Sequence, residues 1–205
     1  MSGVDAATFK STGIVQPVSG RMRSAPTHHV KILYNHQMAN HPSRKPTRLA
    51  SFNYANSGGY FITLVTHERI NLFGKIVDGE MVANVIGQIV CEEWVRSAEI
   101  RNDIELDSWC IMPNHFHAIV LMKESFSPSP GLSCRRSPHS LGSIVAGFKA
   151  SVTRRVNGIN GSQGFPVWQR NYYDHVIRDD EDLNRIREYI INNPAKWELD
   201  KEYIQ

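Results

Sequence analysis

No apolar run in this chain approaches the roughly 18 residues that a membrane span requires. The N-terminus also lacks the apolar stretch of a secretory signal. Cysteine is scarce: Cys91, Cys110 and Cys134 are the three present, and none forms a C-x-x-C pair. That spacing excludes a zinc ribbon and argues for reduced, structural thiols in a cytosolic protein. Acid is nearly missing from the first fifty residues. Asp5 stands alone there against Lys10, Arg21, Arg23, Lys31, Arg44, Lys45 and Arg48. The same stretch is rich in Ser, Thr, Pro, His and Asn and has no sustained hydrophobic period, apart from a short apolar segment, Val30–Tyr34, that reads as a strand or an anchor. A basic arm of this kind, residues 1–47, suits a polyanion partner, and equally suits a solvated tail.

What remains is ordinary globular material. The chain has 205 residues, is 41% hydrophobic and 21% charged, and is long enough for one domain with a real core, read here as 48–205. Tyr60–Thr66 is aromatic and β-branched behind Gly58-Gly59, as a strand should be. Residues 67–79 read as a loop. From Glu80 to Ala98, Val82, Ile86, Ile89, Val90 and Trp94 recur at helical spacing. Ile104–Met112 and His115–Met122 read as antiparallel strands joined by the turn signal Pro113-Asn114. A Ser-Pro-Gly-rich loop, 123–136, precedes a helix over 140–157. An aromatic strand-like segment lies in 167–177. A last helix runs over 179–193, capped by Asp179 or Asp180 and stopped at Pro194. The tail is expected to pack back through Trp197. The order matches an α+β, ferredoxin-like antiparallel sheet with helices on one face, and an added C-terminal helix free to cover part of the other.

Two places carry chemistry. On a strand, residues i and i+2 face the same way, so His115 and His117 share one face while Phe116, Ala118 and Val120 share the other. Two such imidazoles, about 7 Å apart along the strand, can converge on one cation. The alternative is a pair of surface or core histidines. On the last helix, Tyr189 and Asn193 are separated by i,i+4 and project together. Tyr189 also fits a core position beside Ile186 and Ile190, and Asn193-Pro194 is an ordinary helix stop whose proline disfavours α geometry at Asn193. Taken together, two His and one Asn form a set that can hold Mg²⁺ or Mn²⁺ with positions left open for phosphate oxygens, and Tyr189 supplies a nucleophile for phosphoryl transfer.

The residues also carry a resemblance. Met112-Pro113-Asn114-His115-Phe116-His117 resembles the His-hydrophobe-His motif of single-tyrosine transposases, and is most similar to that of the REP-associated tyrosine transposases. The likeness runs from about Arg48 to the end of the chain. It includes Gly59-Tyr60-Phe61-Ile62-Thr63, Thr66-His67-Glu68-Arg69, Phe73-Gly74, Leu106-Asp107-Ser108-Trp109, the stretch from Val167 to Arg178, Glu188-Tyr189-Ile190 and Asn193-Pro194. It implies metal ligation by His115, His117 and Asn193, and attack by Tyr189 on single-stranded DNA beside a hairpin, leaving a 5′-phosphotyrosine and a free 3′-OH. Ser57-Gly58-Gly59-Tyr60 stands where some members carry a Gly-Thr-aromatic-Ser stretch that reads a guide sequence. The resemblance further implies a nucleoid-associated cytoplasmic protein and a monomer, with a homodimer as the alternative.

Residues expected to touch DNA are Arg48, Lys149, Arg154, Arg155, Tyr172, Tyr173, His175 and Arg178. Tyr172 and Tyr173 are rival nucleophiles, though an aromatic strand-like segment better suits packing or base stacking. Two other functions fit parts of the pattern: a ferredoxin-like module that binds hairpins without cutting them, and a zinc hydrolase built on the two histidines. The second lacks a nearby third His or acid.

Overall fold

The computed structural model describes residues 58–123, 139–161, 164–200 and 202. The segment Val30–Tyr34, Arg48, Cys134, the arm 1–47 and most of the Ser-Pro-Gly-rich loop lie outside the described residues. In chain order the elements are β1 (Gly58–Val65), β2 (Gly74–Val77), β3 (Glu80–Ala83), α1 (Val85–Ile100), β4 (Ile104–Ile111), β5 (His115–Met122), α2 (Leu141–Asn160), β6 (Tyr173–Ile177) and α3 (Asp180–Asn192). A short 3₁₀ segment, Pro194–Leu199, follows. Four strands form one antiparallel sheet in the order β4-β5-β1-β6, and β2-β3 is a separate hairpin. This is the ferredoxin-like arrangement that the order of elements predicts.

The strands sort their side chains by alternation. Tyr60, Ile62 and Leu64 of β1 and Phe116, Ala118 and Val120 of β5 join a cluster with α1 and α2. At its centre the Trp94 indole meets the rings of Phe116 and Phe148, each at 5.1 Å between centroids. Burying each of these side chains is worth about 1.5–3 kcal/mol. Phe61, Ile119 and Ile177 point the opposite way, to Leu183, Ile186 and Ile190 of α3 and to Trp197. The added helix therefore covers the second face of the sheet, and Trp197 brings the tail back as expected.

β4 carries a bulge. Leu106 pairs with Val120 and Trp109 with Ala118, so Asp107 and Ser108 oppose the single residue Ile119. Ahead of the bulge Ile104 and Leu106 pack toward α1 and α2; beyond it Trp109 and Ile111 do, while Cys110 and Met112 face α3. Asp107 is buried and receives both Nε and Nη2 of Arg187 from α3, which ties the last helix to the edge strand.

The helix expected from Glu80 instead starts at Val85, after the hairpin β2-β3. Asp78 and Gly79 take positive φ (52° and 75°), as a two-residue hairpin turn demands. Val82 falls at helical spacing from Ile86 and Ile89, so the helical period extends backwards into a strand of four residues. The side chain of Asn84 caps α1 by accepting from the Gly87 N–H at 3.0 Å. Asp179 caps α3 in the same way, at 2.8 Å from the Asp182 N–H. Cys91 and Cys110 are buried free thiols. Burial pushes Cys91 up to about 12 and Cys110 higher still, in keeping with a structural role.

Candidate functional site

The site begins at the tight turn between β4 and β5. Asn114 is fully buried, and its amide nitrogen donates to the carbonyls of Arg69 (3.1 Å) and Glu202 (2.6 Å). Its oxygen therefore faces Nδ1 of His115, at 2.9 Å. An amide oxygen only accepts, so Nδ1 of His115 carries the proton and Nε2 carries the lone pair. Nδ1 of His117 meets the Thr63 hydroxyl at 2.8 Å, which leaves its Nε2 turned the same way. The two rings lie 4.4 Å apart between centroids. Burial lowers both imidazoles below their ordinary range, His115 well below it, so both are neutral at neutral pH and able to bind a cation.

The other half comes from the end of the chain. The Tyr189 hydroxyl lies 3.2 Å from Nε2 of His117 and donates to Oδ2 of Asp200 at 3.1 Å. Asn193 donates through Nδ2 to the same carboxylate oxygen at 2.9 Å. Asn193 keeps α geometry (φ −60°, ψ −45°) in spite of Pro194, because the backbone runs straight on into the 3₁₀ segment; Tyr189 and Asn193 thus share a face. Asp200 brings a carboxylate within 4.0 Å of Nε2 of His115 and 3.9 Å of Nε2 of His117.

Sequence reasoning missed Asp200, Asn114 and Thr63. Thr63 could have been found from cross-strand pairing with His117. Asp200 gives no local signal, since only the fold of the 3₁₀ segment delivers it.

Electrostatics couple these groups. Burial alone would raise the Asp200 carboxyl. A proton on His117 or His115, together with the Glu202 N–H and the Asn193 amide, favours the charged form, outweighs burial and holds Asp200 well below the usual carboxylate range. Burial, and then the Asp200 charge, push the Tyr189 phenol above its ordinary value, so it is protonated at neutral pH.

The donor set fits a divalent cation. Nε2 of His115 and Oδ1 of Asn193 are buried and have no hydrogen-bond partner among the described residues. Both are lone-pair atoms, and burying them unsatisfied is costly. Ligand atoms of His115, His117 and Asp200 all lie within 4.8 Å of one another. Two neutral imidazoles with an amide oxygen and a carboxylate suit a cation of the Mg²⁺ or Mn²⁺ class.

No family model matches the chain. Over 170 residues it is 36% identical to an uncharacterized protein of Haemophilus influenzae, covering 78% of this chain and 93% of that protein. Over 148 residues it is 23% identical to a second H. influenzae protein, assigned as a REP-associated tyrosine transposase, covering 70% of this chain and 74% of that one. Its fold is similar to the solved structure of a REP-associated tyrosine transposase bound to a REP hairpin. The TM-score is 0.53, with 20% identity over 75% of this chain and 76% of that one. The chain is thus similar in sequence to a REP-associated tyrosine transposase and shares the fold of another.

The remaining candidates for DNA contact fall into two groups. Some are already engaged. Lys149 donates to the carbonyls of Gln169 and Asn171, both at 2.9 Å, and lies 5.9 Å from the centre of the Tyr172 ring. Its burial lowers the ammonium to about 8. Arg155 pairs with Glu92 (2.6 Å) and Glu93 (2.9 Å). His175 meets Asp182 at 2.7 Å. Others face solvent: Arg178 and Tyr173 are exposed, and Arg154 lines an open groove of about 510 Å³ with Trp168 and Pro166. Of the three tyrosines weighed as nucleophiles, Tyr189 is the one beside His117. Among the described residues no helix is long and apolar enough to cross a membrane.

Proposed function

We propose that this protein is a tyrosine transposase that binds a DNA hairpin and cleaves the adjoining single strand through a covalent 5′-phosphotyrosine on Tyr189. The observation that carries this reading is the meeting of the Tyr189 hydroxyl with His117 and Asp200, beside the two unsatisfied lone-pair atoms of His115 and Asn193. A relative of the same fold is bound to a REP hairpin, which supports palindromic DNA as the partner.

In the proposed step the Tyr189 oxygen forms a bond to phosphorus. The bond from phosphorus to the 3′ oxygen breaks, and that oxygen leaves with the electron pair and takes up a proton. The phenolic proton is lost to water, and Asp200 orients the hydroxyl by accepting its hydrogen bond. The freed 3′-OH can later attack the phosphotyrosine and rejoin a strand, so no external energy source is consumed. His115, His117, Asn193 and Asp200 would hold a divalent cation, which when bound would neutralise phosphate charge and favour the phenolate. The phenol needs that help, because its own surroundings keep it protonated. Tyr189 is 43% exposed and borders a shallow cavity of about 120 Å³ with Asn192, Lys196 and Asp200, which leaves a phosphate room to approach.

The test is incubation of the full chain with Mn²⁺ and a hairpin oligonucleotide carrying single-stranded flanks, followed by a denaturing gel. A covalent adduct is expected with the wild type and not with Tyr189→Phe. Equal behaviour of the two proteins removes Tyr189 as the nucleophile. Hairpin binding that survives loss of His115 and His117, with no cleavage by the wild type under any divalent ion, would leave a binding module instead.

A further inference from the structure

We propose that Tyr173 is a stacking platform that holds the nucleobase next to the scissile phosphate, and so sets which bond in the single strand reaches Tyr189. This rests on the function proposed above.

The sheet itself lays out the geometry. Thr63 of β1 pairs with His117 of β5 on one side and with Tyr173 of β6 on the other. These three residues form a row running straight across three strands. Side chains in such a row emerge on one face, here the face that α3 partly covers. Two strand spacings separate the backbone of Tyr173 from that of His117, roughly 9–10 Å. Phe61, one turn of the pleat away on the same face, fills the space between them. Its ring is stacked on His117 at 5.3 Å and meets Tyr189 edge-on at 6.0 Å and Tyr173 edge-on at 6.4 Å. The nucleophile and Tyr173 therefore flank one nearly buried ring.

Tyr173 differs from Phe61 in being open. It is 52% exposed, against 8% for Phe61, and lies on the edge strand of the sheet. An aromatic ring supported on one edge by a buried ring, and open to solvent elsewhere, offers a flat apolar surface. A phosphate placed at the Tyr189 oxygen brings its own nucleosides to either side. The Lys196 side opens on the shallow cavity, whose lining of Asn192, Asn193, Lys196, Leu199 and Asp200 offers no aromatic ring besides Tyr189 itself; the Phe61 side ends in Tyr173. A base is the flat, apolar part of a nucleotide, and stacking on an aromatic ring is indifferent to which base it is. Lys149 fixes the approach to this strand by holding the carbonyls of Gln169 and Asn171, so the platform is set by the fold and does not form on binding.

The experiment uses the full chain and a hairpin oligonucleotide with single-stranded flanks. Single-turnover adduct formation is measured for wild type, Tyr173→Phe and Tyr173→Ala, on an intact flank and on flanks with one abasic site placed in turn at each nucleotide around the cleaved bond. We expect Tyr173→Ala to be slower by roughly five- to a hundredfold, and Tyr173→Phe to stay within about twofold of wild type. On one abasic flank the wild type should fall to the Tyr173→Ala rate. A purely structural role would slow Tyr173→Ala equally on every substrate, and that result, or equal rates for Tyr173→Ala and wild type, overturns the proposal. A second readout works without cleavage. With 2-aminopurine stepped through the flank, Tyr189→Phe should quench one position, and Tyr189→Phe/Tyr173→Ala should not. Quenching without any wild-type adduct would keep the platform and remove the proposed reaction; an adduct with no Tyr173-dependent quenching would do the reverse.

Discussion

The Tyr189 hydroxyl rests 3.2 Å from Nε2 of His117, although 72 positions separate the two residues in the chain. The contact depends on α3 lying across the sheet face from which both imidazoles project. Tyr189→Phe removes the hydroxyl but keeps the ring, and the ring provides the packing against Phe61. We expect adduct formation to fall on the order of a thousandfold or more, as for other removed nucleophiles. Stability should change by about 1 kcal/mol, the ordinary net worth of the hydrogen bond that the hydroxyl donates to Asp200. Chemical denaturation beside the gel assay checks both halves.

Mn²⁺ titrated into the apoprotein calorimetrically should bind with one site per chain. His115→Ala, His117→Ala and Asp200→Asn should each weaken that binding by at least about tenfold. A chelator should abolish adduct formation while leaving hairpin binding intact. Full Mn²⁺ affinity in Asp200→Asn would remove the carboxylate from the set and leave the two imidazoles with Asn193.

The Asp107–Arg187 tie predicts a particular acid response. Burial alone would raise the Asp107 carboxyl, and hydrogen bonds from Arg187 and the Ser108 N–H outweigh it and lower it. A carboxyl lowered in the folded state stabilises fully above its unfolded value of about 3.9 and loses that contribution as pH falls through the folded value. Arg187 is partly exposed, so the tie is worth about 1–2 kcal/mol. Asp107→Asn should therefore melt below wild type at pH 7, and the gap should close as pH falls from 4 toward 2. A gap that stays constant across that range would show that the loss is one of packing.

Gly87→Ala runs against helix propensity. Alanine in a helix is favoured over glycine by about 1 kcal/mol. Here a Cβ would stand 2.2 Å from the Phe73 carbonyl oxygen, an atom fixed by the Asn84 N–H at 2.9 Å. We expect destabilisation of roughly 1–3 kcal/mol from overpacking, seen as a lower midpoint in urea. A neutral or stabilising result would mean that α1 can slide away from the segment before β2.

Much of this arrangement was legible in the sequence. Period-two alternation places His115 and His117 on the face opposite Phe116, Ala118 and Val120, and the sheet obeys it. The i,i+4 spacing places Tyr189 with Asn193. What stayed hidden are features that have no period. The β2-β3 hairpin is too short for alternation to register, and its one clear sign is Asp78-Gly79. Asp200 sits beyond a proline in a segment whose path depends on Trp197 packing beside His115, with ring centroids 5.8 Å apart. Lys149 and Arg155 read as basic surface on α2, yet the Gln169 and Asn171 carbonyls and the Glu92 and Glu93 carboxylates already occupy them; such partners come from other elements and leave no trace at the helix itself.

The extra residue between Leu106 and Trp109 has a consequence for insertions and deletions. Asp107 and Ser108 together take the place of one residue in the ladder, which is why the core-facing set in β4 changes from even to odd numbers across it. Loss of Ser108 alone would leave one residue opposite Ile119 and restore plain alternation, with the turn and the imidazoles beyond it kept on their present face. Loss of both would set Trp109 directly after Leu106, invert everything downstream by half a pleat and turn the histidines toward Trp94. At this point of the strand a single deletion should thus be tolerated and a double one hardly at all.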